Sequence, residues 1–320
     1  MRIQSIPPAS PPYRVGFLVF PEFSMIALSC VMEPLREANW VSGETLYDWV
    51  LITPKGPQVL SSNQTCLTVE NGLKDCGDVD MLIVCASFNL EQCATPEVLA
   101  ALRKAARHGV VLGSIDTGSY ILARAGLLEG CRATIHWENA VGFSAQFPNV
   151  TLTSDIYTID QNRWTCSGGA SGIDMMLDLI QQQHGFELSV GVAECAILGG
   201  IRTGQAQQRL PMRNRLGKSD PNLIAAIQVM EASFATRLSV PEIAAQTGIS
   251  MRQLERIFRD QMGTTPSAHY TRLRLERARL LLKQTSLQVG TIAASCGFTS
   301  LAQFSRSFNT AFGKPPSKDR

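Results

Sequence analysis

A chain of 320 residues with 45% hydrophobic and 18% charged side chains carries a real core and is long for one domain and comfortable for two, which excludes a disordered or fibrous protein. The opening MRIQSIPPASPPYR lacks the apolar run of a secretory leader and no stretch reaches the ~18 apolar residues of a membrane helix, so a cytoplasmic location with no membrane contact is expected. The net charge of +2 hides an asymmetry: residues 1 to 205 hold 12 Lys and Arg against 20 Asp and Glu, whereas residues 206 to 320 hold 17 against 7, the electrostatic footprint of a basic module that meets a polyanion.

The nine cysteines are scattered without CxxC spacing, and none of the four histidines lies at ligand spacing from a cysteine pair. Neither a zinc site nor a disulfide framework is expected, and no cofactor; the thiols read as reduced and mostly in the core.

In chain order, Tyr13 to Phe20 is a β-rich apolar run, followed after the turn at Pro21 and Glu22 by a segment of helical period. Further strands are predicted at Tyr47 to Ile52 and Asp80 to Cys85. Pro96 to His108 reads as a helix, with Pro in its first turn, basic residues late and Gly109 just beyond. Next comes Gly113 to Arg124 (GSIDTGSYILAR), which follows an apolar run (Val110, Val111, Leu112) and leads into an amphipathic helix, with Asp116 in the tight turn. In several α/β enzymes such a junction holds a nucleophile at a helix N-terminus. A carboxylate holds it here.

Asp116 admits more than one role. Its carboxylate can cap the N–H of Gly118 or Ser119, worth about 1 kcal/mol; it can cap the helix and also face a ligand; or it can act covalently, although amide hydrolysis normally needs Cys or Ser with a base. Downstream, Thr151 to Thr158 and Arg163 to Cys166 flank a turn at Asp160 to Asn162, and helices follow at Gly169 to Gln183 and Ser189 to Leu198. Alternating strands and helices imply a mainly parallel sheet covered on both faces, an α/β domain over 13–200. Residues 201–221 turn polar, with Gln205, Gln207, Gln208, Arg209, Pro211, Arg213 and Arg215, and read as a linker.

From Asn222 to the end, a domain over 222–320, the pattern is helical throughout and repeats internally. IAAQTG at Ile243 to Gly248 returns as IAASCG at Ile292 to Gly297, and Leu254, Arg256, Phe258 and Gly263 return as Phe304, Arg306, Phe308 and Gly313. Each copy is a short helix, a glycine turn and a second helix opened by Ser250 or Ser300, which is the pattern of a helix-turn-helix. Ile243, Ile249, Leu254 and Phe258 form the core face of the first copy; Ile292, Phe298, Phe304 and Phe308 form that of the second. Met251, Arg252, Glu255, Arg256 and Arg259 remain for a major groove, and Leu301, Ala302, Ser305 and Arg306 hold the outward positions of the second copy. The helix between, Ser267 to Leu282, carries Arg272, Arg274, Arg277 and Arg279. It spaces the copies for two groove segments roughly 34 Å apart, with Arg272 or Arg274 a candidate phosphate contact.

Residues 222 to 318, through FGKPPS, resemble the DNA-binding domain of the AraC/XylS transcription regulators over its full length; the resemblance makes the exposed residues on the helices beginning at Ser250 and Ser300 the DNA-binding ones. The stretches MIALSCVMEPLREAN, SIDTGSYILARAGLLEG, RATIHWE and TCSGGASGIDMMLDLI resemble the DJ-1/PfpI branch of the amidotransferase-like fold. Active members of that branch carry a nucleophilic Cys at the elbow, a Glu from the first helix and a His after the elbow helix. This chain has Glu33 and His136 but Asp116 in the nucleophile's place, and neither Ile115 nor Thr117 restores a thiol.

The combination resembles the GlxA-like subgroup of AraC-type regulators, and the Asp with IHWE resembles members that respond to arginine, glycine betaine or carnitine. That resemblance implies a non-enzymatic, dimeric regulator, an activator that meets operator DNA and RNA polymerase. Its small cationic or zwitterionic effector is expected beside Asp116, Glu33, His136, Trp137 and Thr117, with Trp137 able to stack on a cation. The alternative is an enzyme, an amide hydrolase or glyoxalase-like activity, tethered to DNA.

Overall fold

The structure is a computed structural model that describes residues 11–209, 219–285 and 287–319. The chain divides into two units after Gln208.

The first unit is organised by strands buried on both faces. In β1 (Tyr13–Val19) and β5 (Met81–Ala86) alternate residues point to opposite faces. Val15, Phe17, Val19, Met81 and Ile83 enter one core, and Leu18, Leu82, Val84 and Ala86 the other. A strand buried on both faces reads as a continuous apolar run, and this marks a parallel sheet sandwiched between helices. The six-stranded sheet runs β2 (Tyr47–Ile52), β1, β5, β6 (Val111–Asp116), β10 (Arg163–Cys166), β9 (Tyr157–Asp160). All neighbours are parallel except the β9–β10 hairpin. Two short ribbons complete it: β3 (Gln58–Leu60) with β4 (Cys66–Thr68), and β7 (Arg132–Ala133) with β8 (Thr151–Leu152).

On one face lie α1 (Met25–Ser42), α6 (Ser171–His184) and α7 (Phe186–Cys195), which bury Leu28, Val31, Leu35, Met175, Leu179 and Val192. The other face takes α3 (Pro96–Arg107), α4 (Gly118–Arg124) and α5 (Ala140–Gln146), burying Val98, Leu102, Ile121 and Phe143; a one-turn α2 (Leu90–Cys93) precedes α3. Thr95 caps α3 by accepting from Val98 N–H; Gly109 follows at φ +86°, as the sequence predicts. The sixth and seventh helices are displaced from the expected 169–183 and 189–198. Gly169 and Gly185 both have positive φ, so the chain turns there and the helices start at Ser171 and Phe186.

Residues 201–208, expected within the linker, pack on this first unit. Arg202 holds the buried Asp174 with Nη2 to Oδ2 at 2.6 Å, and Gln208 Nε2 donates to Thr134 Oγ1 at 2.8 Å. Pro211, Arg213 and Arg215 lie outside the described residues.

The second unit is helical among the described residues: α8 (Pro221–Ala232), α9 (Val240–Gln246), α10 (Met251–Met262), α11 (Pro266–Gln284), α12 (Val289–Ser295) and α13 (Leu301–Phe312), with a single 3-10 turn at Pro316–Lys318. Its first core joins Leu223, Ile227 and Met230 to Ile243, Leu254, Ile257, Phe258 and Tyr270, with Ile249 partly buried against it. In the second copy Ile292, Ala293, Phe304 and Phe308 are fully buried and Phe298 nearly so.

Candidate functional site

β6 ends on Asp116, whose φ is +59°, a left-handed backbone that costs a non-glycine residue about 1–3 kcal/mol and persists where the surroundings enforce it. Two glycines do so. A Cβ on Gly118 would collide with the Val84 carbonyl, and one on Gly168, itself at φ +86°, would come within 2.8 Å of both Asp116 Cα and Cβ. The two segments therefore press against the elbow from both sides.

The left-handed turn directs the Asp116 carboxylate away from α4. Its Oδ2 accepts from Ser87 Oγ at 2.7 Å, and Ser87 Oγ in turn accepts from Ser24 N–H at 2.9 Å. The expected helix cap is thereby corrected: Thr117 holds the N-cap position of α4 with no side-chain cap bond. Burial pushes the Asp116 carboxyl above its ordinary value; the Ser87 hydrogen bond and His136 oppose this, and Glu138 adds to it. Among the described residues Oδ1 has no hydrogen-bond partner, and no Lys or Arg pairs with this carboxylate.

The loop after β7 closes the other side. His136 N–H donates to the Asp116 carbonyl at 3.0 Å. The His136 ring lies 5.7 Å from that of Trp137, and its Nδ1 is 3.9 Å from Glu138 Oε2. Trp137 is 38% exposed, whereas the tryptophan that fills the core is Trp164. Asp116, His136 and Trp137 are thus brought together.

Glu33 and Thr117 are engaged elsewhere. Glu33 is exposed on α1 and bound to Arg36 at 2.6 Å, because the i, i+3 spacing satisfies it locally. Thr117 is buried and spends both its N–H and Oγ1 on the Ala86 carbonyl. Sequence reasoning missed Ser87, Ser24, Gly168 and Glu138. Only the strand register gives a signal for Ser87: it follows Ala86, the β5 partner of Asp116, at the carboxyl end of the sheet where α/β folds place their ligands.

The elbow offers no free hydroxyl nucleophile. Ser114 and Ser119 are fully buried and bonded to each other at 2.8 Å, and Ser119 Oγ also donates to the Thr134 carbonyl at 2.6 Å.

In the second unit, Ser250 Oγ accepts from Gln253 N–H at 3.2 Å and starts α10. That helix buries Leu254, Ile257 and Phe258 and leaves Met251, Arg252, Glu255, Arg256 and Arg259 exposed. Ser300 caps α13 in the same way through Gln303 N–H. Leu301, Ala302 and Arg306 are exposed and Ser305 is half-buried. The connecting helix corrects one expectation. Arg274 is buried, its guanidinium stacked 4.3 Å from the Phe298 ring centre, so it joins the two copies and is not a phosphate contact. Arg277 lies over Phe234, and Arg279 binds the buried Asp319 at 2.7 Å. Arg272 alone of the four is exposed, paired with Glu276.

The DJ-1/PfpI family matches residues 13–182 and the helix-turn-helix domain residues 243–320. The HTH-type transcriptional regulator GbdR of Pseudomonas aeruginosa is 40% identical over 309 residues, 97% of this chain and 84% of its own length. CdhR of the same organism is 42% identical over 304 residues, 95% and 90%, and GlxA of Rhizobium meliloti 33% over 307 residues, 95% and 94%. A crystal structure of an AraC family transcriptional regulator from Pseudomonas putida aligns with TM-score 0.53 at 28% identity, covering 58% of this chain and all of that one. These relatives are named as regulators, which favours that reading over the enzyme alternative. The chain belongs to the HTH-type transcriptional regulators that join a DJ-1/PfpI domain to an AraC-type helix-turn-helix domain, and it is a sequence-specific DNA-binding regulator.

Proposed function

We propose that residues 13–208 sense a small cationic or zwitterionic metabolite at Asp116, and that residues from 219 onward read the operator. The chain acts as a cytoplasmic homodimer and as an activator that works through RNA polymerase, without catalysis of its own. One observation carries the sensing role: a largely buried carboxylate, fixed by Ser87 through one oxygen, with no Lys or Arg paired to it among the described residues. A desolvated anion lacking a counter-charge is unfavourable, and a ligand cation supplies that charge. Trp137 stands at the same loop, and a ring stacked on a quaternary ammonium contributes about 0.5–2 kcal/mol. Glycine betaine, carnitine and arginine fit this chemistry.

Arg252 and Arg256, on the first two turns of α10, suit guanine edges, while Leu301 and Ala302 suit a thymine methyl. Ligand control then requires that the effector bind the two arrangements of the regulator with different affinity. Calorimetric titration of the whole protein with the three compounds tests the sensing role. Saturable binding of at least one, lost in Asp116→Asn, is expected; equal binding by the variant would remove Asp116 from the site.

A further inference from the structure

We propose that residues 201–208 form a latch through which the Asp116 site acts on the start of the linker, with Gln208 as its positioning residue. This rests on the sensing role proposed above. Arg202 anchors the segment: its backbone N–H, Nε and Nη2 all donate to Asp174, at 2.8, 3.0 and 2.6 Å. Gly204 then runs so close to Tyr157 that a Cβ there would lie 2.7 Å from its carbonyl oxygen, and Ile156 N–H donates to the carbonyls of Gly204 and Ala206. Gln207 forms a bridge with Asp155, so the segment lies along the chain just before β9.

The last residue reaches the site itself. Gln208 Nε2 lies 2.8 Å from Thr134 Oγ1 and 3.0 Å from each of the Ile135 and Asp155 carbonyls. The Ile135 carbonyl and the His136 N–H belong to one planar peptide group. Its oxygen is held by Gln208 and its nitrogen by the Asp116 carbonyl. A rigid plate pinned at both edges cannot rotate at one edge without moving the other. A ligand that reorients His136 and Trp137 against Asp116 therefore changes the geometry offered to Gln208, and Arg209, the next residue, already belongs to the second unit.

The latch is also poised to release. Two amide hydrogens serve three acceptors, and among the described residues Gln208 Oε1 is buried with no partner, which lowers the net stability of the engaged state. Effector binding fastens the loop and favours engagement.

The test uses the full chain, with glycine betaine, carnitine and arginine as probes. Without ligand, Gln208→Leu is expected to shift the His136 amide resonance and raise hydrogen exchange across 201–207 about tenfold; an unmoved His136 amide overturns the latch whatever the ligand result. With ligand, Gln208→Leu should keep effector affinity within about threefold of the parent yet lose the effector-dependent change in operator affinity. Retention of that change overturns the coupling. Ser154→Ala, which removes a hydroxyl bonded to Gln207 but leaves the Ile135 peptide untouched, should respond as the parent does, and loss there would overturn Gln208 as the positioning residue. Failure of all three probes to bind the parent protein would count against the sensing role, while the His136 resonance would still decide the latch.

Discussion

Asp116 sits in a backbone that few residues adopt, its carboxylate largely buried and hydrogen-bonded. Arg252 and Arg256 project from a capped, regular helix into solvent. The two places meet opposite demands. A small ion is recognised by a preorganised charge already stripped of water, whereas a polyanion is met by cations that remain hydrated until contact. The elbow is therefore specified by long-range packing from Gly118 and Gly168, and the reading helix by its own cap and amphipathic pattern.

Salt separates the two most strongly. With roughly 6–10 phosphate contacts, operator affinity should fall about a thousandfold or more between about 50 and 200 mM salt, while effector affinity at the buried carboxylate should change little. Parallel titrations of both ligands check this, and equal slopes would break the comparison. Next in size is Gly168→Ala. The added methyl meets the Asp116 backbone at a glycine of φ +86°, so a loss of about 3 kcal/mol in thermal or denaturant unfolding is expected.

Arg252→Ala should cost about 1–3 kcal/mol in operator binding and relax the preference at one base pair, with the unfolding curve unchanged. Unaltered operator affinity would remove Arg252 from the reading set. The smallest effect is on stability against pH. Burial raises the Asp116 carboxyl in the folded chain, so the folded state resists its ionisation and loses stability as pH rises through its ordinary and then its raised value. Asp116→Asn removes that loss, and its Tm should exceed the parent's at neutral pH. The gain should vanish in acid, where both chains are uncharged at this position. A lower Tm for the variant at neutral pH would mean that the carboxylate is stabilised by its surroundings after all.

The second unit was readable from the sequence almost residue by residue, because a helix-turn-helix is built from local signals: Ser250 and Ser300 as caps, Gly248 and Gly297 in the turns, and buried positions at helical spacing. Arg274 escaped. Helical spacing puts it on the face of Tyr270, Ala278 and Leu281, but the ring it stacks on, Phe298, is 24 residues away. In the first unit the strand–turn–helix at Asp116 was legible, but its contents were not. Ser87 and Gly168 reach the elbow only after the sheet orders β5, β6 and β10 side by side, and Glu33, expected beside Asp116, pairs locally with Arg36 on the exposed face of α1. The role proposed for the elbow thus rests on pairings between strands, which a single sequence does not display.

The most direct measurement is operator binding by the full-length chain and by Asp116→Asn, each titrated with glycine betaine, carnitine and arginine. The account predicts equal operator affinity without ligand, a ligand-dependent change in the parent, and none in the variant. A variant that keeps the same ligand-dependent change would contradict it.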